Sequence, residues 1–281
     1  ICWEASEIML YYSQILKDSK NKSNIIQNDD NENPVTMADL KVNKIIIEKL
    51  FEKYENIPWE ILSEENEKIH PNNSDINADW LWVLDPLDGT KDFIQGTGNY
   101  AMHLALNYKK KPYISVVLLP EKDELWISDG KKTWGEKRNG LKLKPNFSRK
   151  KNLQEMILVT SKNHGNEVLK NLVQKINFKE VKVMGSIGCK IASIIRGESD
   201  IYICLSLPGK TSPKDWDFAA PEAILKAAGG EITNINNQDL NYGKSNFQQE
   251  GIIVASNDCL THKKICLDIK QIINNHDLYP L

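Results

Sequence analysis

Asp85 and Asp88 stand three residues apart around a proline, inside the run Trp80-Leu81-Trp82-Val83-Leu84-Asp85-Pro86-Leu87-Asp88-Gly89-Thr90-Lys91-Asp92-Phe93. Two carboxylates so spaced at the mouth of a strand can converge on a hard cation such as Mg²⁺. The free amides of Gly89 and Thr90, at a helix start, suit an anion and phosphate above all. Metal and phosphate in one short segment is the pattern of phosphoryl transfer. Taken singly, Asp-Pro and Asp-Gly are ordinary turn dipeptides, so the weight rests on three further acidic stretches. Asp39 follows Thr36 by three residues, which reads either as a capping box or as a charge serving the site. Ser63-Glu64-Glu65 offers acids at a strand end, solvated or completing the ligand set. Asp217, in Lys214-Asp215-Trp216-Asp217-Phe218-Ala219-Ala220-Pro221, reads as a helix N-cap or as a ligand from the second half of the chain. The second reading closes the site at a domain interface, where pockets tend to lie.

The elements that must carry these residues can be traced by periodicity. Residues 80–84 are apolar and aromatic, the composition of a buried strand. That strand is expected to stop at Asp85-Pro86, because proline cannot donate to a ladder, and residues 88–90 to turn into a helix. Residues 3–17 and 37–54 carry helical apolar stripes, the latter through Val42, Ile45, Ile46 and Leu50. Residues 60–65 read as a strand, and 20–33 and 67–79 as polar loops. Residues 99–108, 113–120 and 124–128 read as consecutive antiparallel strands. The basic, Pro-containing stretch 144–152 is the expected boundary, dividing an N-terminal α+β part (1–146) from a C-terminal α/β part (147–281). Beyond it strands at 156–161, 181–184 and 200–204 alternate with helices at 167–176, 189–196 and 218–228. The last helix is closed by Gly229-Gly230. Strands at 231–235 and 252–256 and a helix at 260–274 complete the α/β pattern.

With 281 residues, 41% hydrophobic and 26% charged, the chain is long enough for one large or two moderate domains around a substantial core. A net charge of -2 gives no basic footprint for a nucleic-acid polymer. A small anionic substrate therefore needs metal ions or a local basic pocket. Five cysteines without CxxC spacing read as reduced thiols of a cytoplasmic protein. No apolar run is of spanning length and no signal peptide is visible, so no membrane partner is expected. The chain opens on Ile1, which reads as a trimmed start.

The succession Pro34-Val35-Thr36-x-Ala38-Asp39, Ser63-Glu64-Glu65, Asp85-Pro86-Leu87-Asp88-Gly89-Thr90 and Trp216-Asp217-x-Ala219-Ala220 resembles the inositol monophosphatase superfamily of Mg²⁺-dependent, lithium-sensitive phosphatases. The continuation Lys91-Asp92-Phe93 resembles its 3′(2′),5′-bisphosphate nucleotidase branch, which serves sulfur metabolism. The resemblance implies a layered αβαβα sandwich and two or three Mg²⁺ ions. It assigns Glu64, Asp85 and the Leu87 carbonyl to one ion and Asp85, Asp88 and Asp217 to a second, with Asp39 serving a third through water. Thr90 with Glu64 would orient the attacking water. Gly89, Thr90, Ser186, Lys190 and Asp217 would bind a small phosphorylated substrate, adenosine 3′,5′-bisphosphate or its sulfated analogue. An inositol or sugar monophosphatase is the alternative, and a non-catalytic binding protein on the same fold a more distant one. Subunit number, monomer or homodimer, is left open. The loop Gly185-Ser186-Ile187-Gly188-Cys189-Lys190 is shorter and less serine-rich than the branch's, and an arginine usual after the next strand is absent. Lys210 or Lys214 could replace that charge. His70, His103, His164, His262 and His276 lie outside every motif and receive no role.

Overall fold

The computed structural model describes residues 1–17, 25–28, 35–69, 71, 74–161 and 166–280. Pro34 of the first motif, His70 and His164 lie outside these residues, as does most of the expected loop at 20–33. Within that stretch β1 (Ile26–Asn28) pairs antiparallel with β2 (Val35–Thr36). Five layers follow from two sheets, each with an apolar face on both sides.

The outer layer of the first half comprises α1 (Cys2–Leu16) and α2 (Met37–Tyr54). Thr36 caps α2 and Asp39 closes the box by accepting from the Thr36 amide, so the capping reading holds. The apolar stripe through Val42, Ile46 and Leu50 packs with Met9 and Leu16 onto Leu84, Leu104, Leu118 and Leu125. Those leucines belong to a seven-stranded sheet in the order β3 to β9. Its strands are β3 (Glu60–Ser63), β4 (Trp80–Asp88), β5 (Ala101–Tyr108), β6 (Lys111–Leu119), β7 (Glu124–Ser128), β8 (Thr133–Glu136) and β9 (Lys142–Leu143). Only the first pair, β3 with β4, is parallel; the rest are antiparallel. Strand alternation turns Ala101, His103 and Ala105 of β5 away from α1 and α2, toward the middle of the molecule.

The middle layer holds α6 (Ile187–Ile195) and α7 (Asp215–Ala228), wedged between both sheets. All nine residues of α6 are buried. Ile191, Ile195, Ala220 and Ile224 share one core with Val117 and Trp126 of the large sheet and Tyr202, Ile232 and Ile253 of the second. That second sheet has five strands: β11 (Glu180–Met184), β10 (Ile157–Ser161), β12 (Ile201–Leu205), β14 (Ile252–Ser256) and β13 (Glu231–Asn234), in that order. Its far face is covered by α5 (Glu167–Ile176) and α8 (Cys259–Asn275) through Leu169, Leu172, Ile265 and Ile269. The architecture is the expected αβαβα sandwich. β8 and β9 were not read from the sequence, being short and flanked by polar turns. Among the described residues no helix is long and apolar enough to cross a membrane.

Three local departures bear on the site. β4 does not stop at Asp85 but runs to Asp88, with its register against β5 shifting between those two residues. A proline is tolerated where the ladder is already interrupted, and the irregularity re-aims both aspartates. Glu64 and Glu65 are not strand residues: β3 ends at Ser63, and the two acids open α3 (Glu64–Ile69). Acids suit a helix N-terminus, and Lys68 pairs with both from the next turn. α7 starts at Asp215 rather than at residue 218, which sets Asp217 inside its first turn.

Candidate active site

Four segments meet where the C-terminal end of β4 faces the N-termini of α6 and α7. After β4 the chain turns through Gly89, at φ 89°, into α4 (Thr90–Gln95). A side chain at 89 would be strained there and would press on the Asn99 carbonyl and on Ser186. This glycine lets the two halves touch.

Asp85, Asp88 and Asp217 each bring one carboxylate oxygen within 4.8 Å of the others. Asp85 and Asp88 are 1% and 8% exposed. The hydrogen bonding divides each carboxylate in two. Asp85 Oδ1 accepts from the Leu87 amide at 3.0 Å. Asp88 Oδ2 accepts from Ser186 Oγ at 2.6 Å and from the Gly188 amide at 3.0 Å. Asp217 Oδ2 accepts from the Lys214 amide at 2.6 Å. The second oxygen of each accepts no hydrogen bond from the described residues. One oxygen is therefore fixed by the fold, and the other is available to a ligand.

The electrostatics agree. Burial, followed by the charges of Glu64, Asp88 and Asp217, pushes Asp85 well above the usual carboxylate range. Burial, then Asp88 and Glu64, does the same to Asp217. Asp88 goes the other way, to about 2: burial works to raise it, but His103, Lys190 and the Ser186 hydroxyl prevail. Buried like charges this close are stable only with protons or cations among them. Oxygen-only donors with unspent lone pairs fit a hard divalent ion such as Mg²⁺.

Other residues singled out in the sequence surround this cluster. Glu64 lies outside the three-carboxylate group and pairs with Lys68 at 3.0 Å, yet it is near enough to perturb Asp85 and Asp217. Thr90 Oγ1 lies 3.3 Å from Asp39 Oδ1 and 3.2 Å from the Leu87 carbonyl. Asp39, 1% exposed, is pushed to about 7 by burial, aided by Glu65 and Glu64 against the bonds from Thr36. Ser186 caps α6 and is committed to Asp88. Lys190, expected to face a substrate phosphate, is 1% exposed. Its Nζ donates to the Gly185 carbonyl and lies 5.2 Å from the centre of the Tyr202 ring. Because α6 is enclosed between the sheets, this lysine acts on the carboxylates from beneath. Lys210 is exposed, and Lys214 Nζ donates to the Asn246 carbonyl.

Sequence reasoning missed Lys68 and His103. Lys68 was hidden in a stretch read as loop, and only the i+3 and i+4 spacing to Glu65 and Glu64 could have disclosed it. His103 was passed over as a strand residue outside the motifs. Its Nε2 lies 3.2 Å from Asp88 Oδ2 and its Nδ1 3.3 Å from the Trp216 carbonyl. Of the other histidines, His262 sits in the second half between Ser256 and Thr233, away from this cluster.

Comparison with known proteins shows the family of the chain. The profile of the inositol monophosphatase family matches residues 1–274. The 3′(2′),5′-bisphosphate nucleotidase CysQ of Buchnera aphidicola subsp. Acyrthosiphon pisum is 34% identical over 232 residues, 82% of each chain. The CysQ of Shigella flexneri is 28% identical over 85% of this chain and 91% of its own. Among solved structures, CysQ from Bacteroides thetaiotaomicron superposes with a TM-score of 0.70 at 25% identity, covering 91% of this chain and 94% of that one. A Thermotoga maritima IMPase shares the fold at a TM-score of 0.72 and 17% identity, over 98% and 95%. With the profile matching residues 1–274 and the chain covering 82% of a relative to which it is 34% identical, the chain belongs to the inositol monophosphatase family.

Proposed function

We propose that the protein is a Mg²⁺-dependent phosphomonoesterase that removes the 3′-phosphate of adenosine 3′,5′-bisphosphate or of its sulfated analogue. The observation that carries the reading is the trio Asp85, Asp88 and Asp217, gathered from two halves of the chain with one uncommitted oxygen each. The substrate class rests on relatives named 3′(2′),5′-bisphosphate nucleotidase and on the Lys91-Asp92-Phe93 continuation. Asp85, Asp88 and Asp217, with Glu64 and the Leu87 carbonyl beside them, are the groups that would hold two ions, and Asp39 would serve a third. When bound, such ions supply Lewis-acid activation of water and neutralise charge on the leaving oxygen.

The chain's own residues do the rest. Thr90, its hydroxyl shared between Asp39 and the Leu87 carbonyl, would orient the incoming water and pass its proton toward Asp39. The amides of Gly89 and Thr90 would bind phosphate oxygens. Lys190 beneath the cluster would offset its negative charge. Lys210 and Lys214 are the cations on the adjoining loop for a second, non-reacting phosphate. The test is phosphate release from adenosine 3′,5′-bisphosphate and from inositol 1-phosphate under the same conditions. A kcat/KM at least tenfold higher for the nucleotide supports the reading, and the reverse preference returns the protein to the monophosphatase side of its family.

A further inference from the structure

His103 is buried near the start of β5, 1% exposed, on the face turned toward the middle helices. Its Nε2 has no well-aligned hydrogen-bond partner among the described residues. What it faces is Asp88 Oδ2 at 3.2 Å. The opposite ring nitrogen lies 3.3 Å from the carbonyl of Trp216, the residue immediately before Asp217. One imidazole thus touches both segments that deliver the paired carboxylates, β4 from the first half and α7 from the second.

The surroundings are cut to this ring. At position 188 a Cβ would run into His103 Nε2, and it would also press on Val117 and Ala101. Gly188 has no positive φ, so its lack of a side chain is explained by room and not by backbone conformation. Through that gap the Gly188 amide reaches the same Asp88 oxygen at 3.0 Å, and Ser186 Oγ reaches it at 2.6 Å. Three nitrogen or hydroxyl groups from two elements therefore crowd Oδ2 of Asp88, and none contacts Oδ1. A carboxylate held this way can rotate only by abandoning all three. Loss of a group that orients a ligand in this manner typically costs about 10–100-fold in metal affinity or activity.

We propose that His103 is a positioning residue: it holds Asp88 and the Trp216–Asp217 segment in register so that the free oxygens of Asp88 and Asp217 meet at one divalent ion. The inference rests on the ligand assignment made above, and its test is chosen to be separable from that assignment. The consequence is specific to metal binding. Removing the ring's polar contacts while keeping its bulk should loosen the aim of Asp88 without opening a cavity.

The test compares His103→Leu, which fills the space without a polar atom, with His103→Gln, whose amide can still reach Asp88. Mg²⁺ binding to each metal-stripped protein is read by calorimetry, and melting in EDTA reports the fold. His103→Leu is expected to raise the Mg²⁺ dissociation constant tenfold or more while melting as a cooperative unit, and His103→Gln to return it to within about threefold of the parent. Turnover of His103→Leu should be largely regained when Mg²⁺ is raised in proportion, so the loss falls on metal requirement and not on kcat. Unchanged Mg²⁺ affinity in a folded His103→Leu overturns the proposal, and so does an equal loss in both variants, which would make the residue a packing element. Should His103→Leu not fold, His103→Met, apolar but pliant, takes its place with the same expectations. A parent protein that binds Mg²⁺ but releases no phosphate from adenosine 3′,5′-bisphosphate would refute the substrate reading, and the calorimetry would still decide the role of His103.

Discussion

Replacing Asp217 by Asn should make the metal-free protein more stable and the metal-bound protein inactive. The sign follows from the crowding of carboxylate oxygens. At 4.8 Å and an effective dielectric constant of about 20, two unit charges repel by roughly 3.5 kcal/mol. Proton uptake relieves part of this, since burial and its neighbours already hold Asp217 well above the usual carboxylate range. A net gain of about 1–3 kcal/mol is then expected on removing one member. The bond from the Lys214 amide is kept, because the Asn carbonyl can accept it. For 281 residues an unfolding entropy near 2.1 cal/mol/K per residue gives about 0.6 kcal/mol/K, so the gain reads as roughly 2–5 °C in Tm. Mg²⁺ at 100 times its Kd should stabilise the parent by about 2.7 kcal/mol, and the variant, short of a ligand, by less than half as much. The assay is a pair of melts for each protein, in EDTA and in Mg²⁺. A variant that melts below the parent in EDTA would refute the repulsion argument. An Mg²⁺ shift equal to the parent's would show that Asp217 is not a ligand.

Three further outcomes follow from the same geometry. Asp88→Asn should lower kcat/KM on the order of 100-fold or more with the fold retained, read by phosphate release at saturating Mg²⁺. Lys190→Met should reduce turnover of a nucleotide bisphosphate and of a simple monophosphate by similar factors, because the ammonium lies buried beneath the carboxylates; a loss confined to the bisphosphate would place it on the distal phosphate instead. The folded-state value of Asp39, about 7, exceeds the unfolded value near 3.9, so the folded protein holds a proton that the unfolded chain releases. Its contribution is therefore full below about pH 4 and is lost as pH rises through about 7. Melts in EDTA from pH 4.5 to 8 should decline less steeply for Asp39→Asn than for the parent.

Much of this site was legible because its residues carry local signals. Thr36 and Asp39 form a capping box whose spacing is written in the sequence, and Asp85-Pro86-Leu87-Asp88-Gly89-Thr90 joins an apolar strand to a helix through a glycine at positive φ. Periodicity discloses most of the helices and strands and the α/β alternation of the second half, whereas the αβαβα layering is implied by the family resemblance. What could not be read depends on contacts between residues far apart in the chain. His103 is ordinary in its strand, and only the approach of α6 and α7 gives it Asp88 and Trp216 as neighbours. Lys190 was expected to face a substrate phosphate from a helix start. Its burial is set by the second sheet closing over α6, which no local pattern encodes. The division of Asp88 between a fixed and a free oxygen is likewise a property of the assembled interface.

The central claim is that carboxylates of both halves hold metal for the removal of one particular phosphate. It is tested most directly by ³¹P NMR of adenosine 3′,5′-bisphosphate incubated with the protein, in Mg²⁺ and in EDTA. The account predicts inorganic phosphate and a nucleotide that retains only its 5′-phosphate in the Mg²⁺ sample, with the substrate intact in EDTA. Cleavage in EDTA, or loss of the 5′-phosphate in place of the 3′, would contradict it.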